Sequence, residues 1–417
     1  MTWTFRLSDL YLIRKERLAI MLFYVGMLIA FLGSMHPWFL WPLGTFYPLV
    51  AAMFTTSSLM VSNTMAHPVF CRKDFFLPLM AFFMYAAYEC MSAGSNVNAY
   101  IMLLFKGAFY FSLFTLDPRR LSSLATFIAK VMGALLAASL AGFFLYLLGF
   151  PLPGSSVQFG EFYSFTNYYL FLLDDRNLFA IVPRFQAYFP EPSHVGSAAA
   201  FLLFAQRGHW RKWYNLMLIA TIAFSFSLGA YVYLTAIIFL NLWIEKKAMF
   251  RKLAIVIAIF VAGIAATFTY NGGNNLVHDL ILLRLEMDDG ELAGDNRVTG
   301  NFEKDYENFI GSGDVVFGRS YDRSVEFGNA GYKVFFYDHG LVGVILIFAF
   351  YFIAFRNAAN KRAAVSALIV AGLYFLPSAF MLLEKVIVSL YAAAYCDGTA
   401  IRQEPIPADS PVQEIPA

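Results

Sequence analysis

The chain has 417 residues, 59% of them hydrophobic and 14% charged, with a formal net charge of +2 and a mean hydropathy of +0.61. Soluble domains carry about 25% charged residues, so the composition argues against a water-soluble enzyme, and its near-neutral balance argues against a nucleic-acid partner. No GxxxxGK[ST] run occurs, so P-loop nucleotide hydrolysis is not the energy source; energy must come from the substrate or from a gradient.

Arg14, Lys15 and Arg17 precede the first apolar run and give it the look of a signal peptide, but the run from Leu18 to about Met35 is too long for one. It reads as a retained first span. Apolar segments then follow at about 38–62, 75–92, 99–116, 122–149, 194–206, 213–228, 231–244, 253–269, 339–355, 363–381 and 384–395. The pair at 213–244 is expected to meet at Ser227–Gly229, and the last pair has the alternative of a single broken hairpin around Glu384 and Lys385.

Alternating these segments across a bilayer sorts the basic residues. Six short loops on one side, around Arg14, Arg72, Arg119, Arg211, Lys247 and Lys361, hold 18 of the 30 lysines and arginines. The positive-inside rule makes that side cytoplasmic. The expected fold is an all-α polytopic membrane protein with about twelve transmembrane helices, both termini inside, and two large outer-face loops at about 150–193 and 270–338. Residues 1–396 form a single integral membrane domain; 397–417, with four prolines, reads as a disordered cytoplasmic tail. Cys71, Cys90 and Cys396 are far apart and match no metal or disulfide framework.

Chemistry-bearing residues concentrate on the outer side. Arg176, Arg184, Arg284, Arg297, Arg319 and Arg323 lie where the positive-inside rule depletes cations, and arginine suits planar, multidentate recognition of phosphate. Each one has the alternative of pairing with a neighbouring carboxylate, as Asp322 beside Arg323 invites. Asp174–Asp175 and Asp288–Asp289 are adjacent pairs whose side chains diverge along an extended backbone, a poor arrangement for a divalent cation, which wants convergent oxygens. Within the spans, Glu89, Lys106 and Lys130 are the notable charges, and only Lys106 falls deep.

The densest stretch is RFQAYFPEPSH, Arg184 to His194. Pro190 and Pro192 keep Glu191 out of a regular helix, and an apolar run begins directly after His194. Two readings fit these residues: a helix start with Ser193 capping and Glu191 at the dipole, or a general base with His194 to orient it or move its proton.

The segment RFQAYFPEPSHVG resembles the R-x-x-x-x-F-x-E-P-S element of bacterial O-antigen and exopolysaccharide polymerases of the Wzy type. FSFSLGAYVYL resembles their S-x-G-a-y span, and NRVTGNFEKDY, VFGRS and NAGYKVFFYDHGLVGVILIF resemble the end of their large periplasmic loop and the helix that follows. These landmarks occur in family order over roughly 160–355. In the related O-antigen ligases a histidine stands about eleven residues before the element that Gly340 opens here; Asn329 occupies its place, which weakens the ligase reading, while Glu191 in the E-P-S element favours the polymerase side. The resemblance implies a metal-independent glycosyltransferase without cofactor, built on a GT-C-like bundle in the bacterial inner membrane. It would join oligosaccharide repeat units carried on undecaprenyl pyrophosphate, beside a chain-length regulator and a flippase of the same pathway. On this reading Glu191 deprotonates the acceptor with help from His194. Arg184, Arg297 and Arg319 neutralise pyrophosphate, Arg284 is a further candidate, and Tyr163, Tyr188, Tyr306 and Tyr321 stack on sugars. The alternatives are an O-antigen ligase and, with no bond chemistry, a lipid-linked oligosaccharide flippase.

Overall fold

A computed structural model of the chain describes residues 7–63, 70, 72–92, 97–160, 163–177, 182–207, 209–245, 300–319 and 331–396, with isolated positions between 251 and 292. The apolar segment at 253–269, most of the second loop and the tail at 397–417 therefore lie outside the described residues.

The described helices are α1 (Leu7–Gly33), α2 (Tyr47–Ser62), α3 (Phe76–Ser92), α4 (Val97–Thr115), α5 (Pro118–Leu147), α6 (Pro192–Ala205), α7 (Trp213–Ser225), α8 (Leu228–Glu245), α9 (Gly300–Ile310), α10 (Gly331–Phe355), α11 (Lys361–Phe375) and α12 (Glu384–Tyr395). Among them five stretches are long and apolar enough to cross a membrane: Arg14–Gly33, Trp38–Ser62, Pro118–Leu147, Leu228–Glu245 and Gly331–Phe355. Shorter apolar helices stand between them. The starts follow local chemistry. Asp117 accepts from the Arg119 amide ahead of α5, with Pro118 as first helical residue, and Asn360 accepts from the Arg362 and Ala363 amides ahead of α11.

Two expectations are corrected. The run at 38–62 is not one helix: Trp38–Phe46 is a 3₁₀ stretch that contains Pro42 and turns at Gly44 (φ 48°) before α2 begins. The largely helical make-up agrees with the expected all-α class, and a small sheet stands in the first long loop. Strands β1 (Ser155–Phe159), β2 (Tyr163–Asn167) and β3 (Leu172–Asp174) form it as an antiparallel sheet, with Val157 opposite Phe165 and Phe165 opposite Asp174. Finally, α10 starts well before residue 339 and is broken at Gly340 (φ 58°, ψ −166°).

Helices α6 and α12 are the centre of the bundle and pack against each other. All but two of the residues of α6 and all but one of α12 are buried. The small residues of α6 make this close approach feasible: a Cβ on Gly196 would stand 2.6 Å from the Ala230 methyl of α8. These central helices are short. With 14, 13 and 12 residues, α6, α7 and α12 measure roughly 21, 20 and 18 Å at 1.5 Å per residue, less than the hydrocarbon thickness of about 30 Å. One pair of ends is clamped: the buried Arg207, just past α6, donates to the carbonyls of Ala393 and, at 3.0 Å, Cys396 at the end of α12. The opposite ends, carrying Glu191 and the Glu384–Lys385 pair, thus stop part-way along the 30-residue α5.

Candidate active site

The residues before α6 are pinned on three sides by their backbone. Phe185 N donates to Phe224 O at the end of α7 (2.9 Å), Leu172 N of β3 donates to Ala187 O (2.7 Å), and Trp38 N donates to Tyr188 O (3.0 Å). A left-handed Ala187 (φ 53°) turns the segment so that it meets all three. Two prolines then set the approach, leaving Glu191 extended (φ −135°, ψ 142°) as the residue that caps α6.

Two hydroxyls hold the Glu191 carboxylate. Tyr163 of β2 donates to Oε1 at 2.5 Å, and Ser193 donates to Oε2 at 2.7 Å. Ser193 thus serves the carboxylate and not the helix amides, and Glu191 makes no side-chain cap of its own. Burial and the Glu191 charge push the Tyr163 phenol well above its ordinary value, so it stays a donor through any physiological pH. Arg176 lies over the Tyr163 ring, 5.3 Å from its centroid, and forms a forked pair with Asp174 (Nε–Oδ1 2.9 Å, NH2–Oδ2 2.5 Å). Asp175 turns the other way and accepts from Thr166 at 3.1 Å and from Ser164. The adjacent aspartates therefore serve different partners.

Arg184 lies at the end of α7: its Nε donates to Ser225 O (3.3 Å), among the last carbonyls of that helix, where a cation is favoured. Ser225 is also the neighbour of Gly196 in the second turn of α6. His194 is placed differently from the expectation. Its ring faces the Met35 backbone, and Nδ1 is enclosed with no hydrogen-bond partner. Two hydroxyls orient Glu191, and the Glu191 charge acts on the imidazole.

Beneath this corner sits a group of charges that the sequence reading left unassigned. Glu384 and Lys385, the first residues of α12, are each 1% exposed. Glu384 accepts from the Tyr47 hydroxyl at 3.0 Å and lies 3.5 Å from Lys106 of α4. Lys385 Nζ donates to the Ser197 hydroxyl (3.2 Å) and the His194 carbonyl (3.4 Å) of α6, while its amide donates to Ser34 Oγ (3.1 Å). The available signal was two opposite charges at the head of an apolar run; a turn explains such a pair equally well.

Of the other expected ligands, Arg319 is tied into its own loop, with Nε 2.6 Å from Asp314 Oδ2, NH1 3.7 Å from Asp305 Oδ1, and its amide on Tyr337 O (2.8 Å). Tyr306 packs beside Phe302 and Phe309 in the same loop. Arg284, Arg297, Arg323 and Tyr321 lie outside the described residues. Arg176, expected only as one of several outer arginines, is the one whose charge acts on the Tyr163–Glu191 pair. No family model, curated protein or solved structure matches the chain.

Proposed function

We propose that the chain is a polysaccharide polymerase of the inner membrane, joining lipid-pyrophosphate-linked oligosaccharide units at the outer face. The observation that carries this reading is the Glu191 carboxylate, fixed by Tyr163 and Ser193 above the first turn of α6, with Arg184 earlier in the same segment held at the end of α7. A carboxylate held by neutral donors, with an arginine in the segment that leads up to it, suits the two needs of the reaction: a base for the acceptor hydroxyl and a cation for the leaving pyrophosphate. Arg184 supplies that cation, joined by Arg284 and Arg297 from the second loop. Both termini lie on the cytoplasmic side, as the distribution of basic loops requires.

The test is glycan chain length in a deletion strain complemented with the wild-type chain, Glu191→Gln or Arg184→Ala, at equal membrane abundance. Wild type is expected to restore long chains and each variant to leave single repeat units. Full-length polymer from both variants would sink the reading. Tyr163→Phe removes one hydrogen bond to a charged group, worth about 1.5 kcal/mol. It is expected to lower the rate of chain extension about tenfold in a pulse-labelling assay; an unchanged rate would mean that Glu191 works without this hydroxyl.

A second reading has its own observation. Buried Glu384 and Lys385 and the half-buried Lys106 are what a path for a polar cargo would use, which favours lipid-linked glycan transport. The same strain separates the two: loss of transport removes single repeat units from the surface as well.

A further inference from the structure

Two carboxylates and two ammonium groups meet where α4, α6 and α12 converge: Glu191, Glu384, Lys106 and Lys385. Their formal charges cancel. Glu384 is matched by Lys106 and supported by Tyr47. Lys385 has only neutral acceptors at its Nζ, the His194 carbonyl and the Ser197 hydroxyl. An ammonium buried to 1% exposure without a balancing anion is costly, and the anion whose charge acts on it is Glu191, three residues before His194. Ser193 and Ser197 stand between the two groups. Lys385 donates to Ser197 Oγ, Ser197 Oγ donates to the Ser193 carbonyl (2.7 Å), and the Ser193 hydroxyl donates to Glu191 Oε2.

We propose that Lys385 is the positioning residue of Glu191, a buried cation that α12 brings beneath the first turn of α6 to hold the carboxylate in its charged, base-competent form. The proposal rests on Glu191 being the base. Lys385 never touches substrate on this account; it acts through the carboxylate. The other charged or titratable groups around the pair are His194 on α6, His36 after α1, Tyr47 on α2, Lys106 on α4, Glu384 on α12, and Tyr163, Asp174 and Arg176 from the loop sheet. Among them Arg176 is engaged by Asp174 and Lys106 by Glu384, whereas Lys385, the buried cation, has neutral acceptors and feels the Glu191 charge. With it removed, the carboxylate takes up a proton more readily, and its charged form is lost at a higher pH as the medium is acidified.

The test uses the full-length protein in lipid nanodiscs, treated with dicyclohexylcarbodiimide across a pH series. The reagent modifies protonated carboxyls, and modification at Glu191 is read by mass spectrometry. Lys385→Met is expected to move the midpoint upward by about one pH unit, the scale of one nearby opposite charge, and Lys385→Arg to keep the wild-type midpoint. Lys385→Gln retains hydrogen-bonding capacity without charge and serves should the methionine variant fail to insert; it is expected to follow Lys385→Met. A wild-type midpoint in the neutral variants overturns the proposal, since it would leave Lys385 only a packing or hydrogen-bonding part. This readout is independent of glycan. A shifted midpoint together with long chains from Glu191→Gln would keep the coupling and sink the polymerase reading, whereas single units from Glu191→Gln with an unmoved midpoint would do the reverse.

Discussion

Glu384→Leu is expected to be the most destabilising single change in the described bundle, costing about 3 kcal/mol or more, the scale for breaking one partner out of a buried ion pair. Glu384 is 1% exposed and accepts from Tyr47 while facing Lys106. Without it, the Tyr47 hydroxyl loses its acceptor and Lys106 loses the carboxylate it faces. The measurement is thermal unfolding in detergent, with membrane abundance as a second readout. Lys106→Met combined with Glu384→Leu removes both charges of the pair and is expected to recover part of the loss, the sign of a direct coupling. A single variant as stable as wild type would mean that water or lipid headgroups reach the pair and take over its solvation.

Gly340→Ala is expected to detach the folded end of the second loop. At φ 58° and ψ −166° the backbone occupies a region essentially reserved for glycine. A Cβ there would stand 2.5 Å from Gly318 N and 2.6 Å from the Val316 carbonyl carbon and oxygen. Gly318 (φ 86°) faces it with the same constraint, 2.2 Å from Asp338 O for an added Cβ. Nothing near either glycine is a flexible side chain able to yield, so the loop itself has to move. Three hydrogen bonds would go with it: Val342 N to Val316 O (3.0 Å), Arg319 N to Tyr337 O (2.8 Å) and Tyr88 Oη to Phe317 O (2.7 Å). Strain of about 1–3 kcal/mol together with the lost bonds is expected to abolish long-chain glycan while the helices stay inserted. Limited proteolysis should then cut near residue 317, where the wild type resists. Resistance equal to wild type would show that the loop is held from elsewhere.

What the sequence disclosed follows from how local each cause is. The break at Ser227–Gly229 was readable because a left-handed Phe226 and a new helix at Leu228 follow directly in the chain. The start of α6 was readable because Pro190 and Pro192 act on their own neighbours. The loop sheet was not. Its strands have five, five and three residues, and at this density of aromatic residues their alternation resembles an interfacial belt. The partner of Glu191 was within sight, since Tyr163 had been considered as a sugar platform, but its hydroxyl arrives from a strand 28 residues earlier. The buried charges were the hardest to read, because Glu384 meets Tyr47 across 337 positions and Lys385 meets His194 across 191. Adjacent opposite charges fit a turn, and only the packing of α12 against α6 distinguishes the two cases.

The Arg207 clamp fixes one end of the short central helices, so all the missing length falls on the other side. With the proposed orientation, a floor that carries Glu191 at the head of a 14-residue helix would lie below the plane in which outer-leaflet phosphates float. A polyprenyl carrier diffusing in that leaflet would arrive with its pyrophosphate too high, and would have to dip its head and bow its tail to dock. Catalysis would then include a vertical step as well as a lateral search, and the bilayer above the recess, by its thickness and stiffness, would help to set how often a carrier makes the descent.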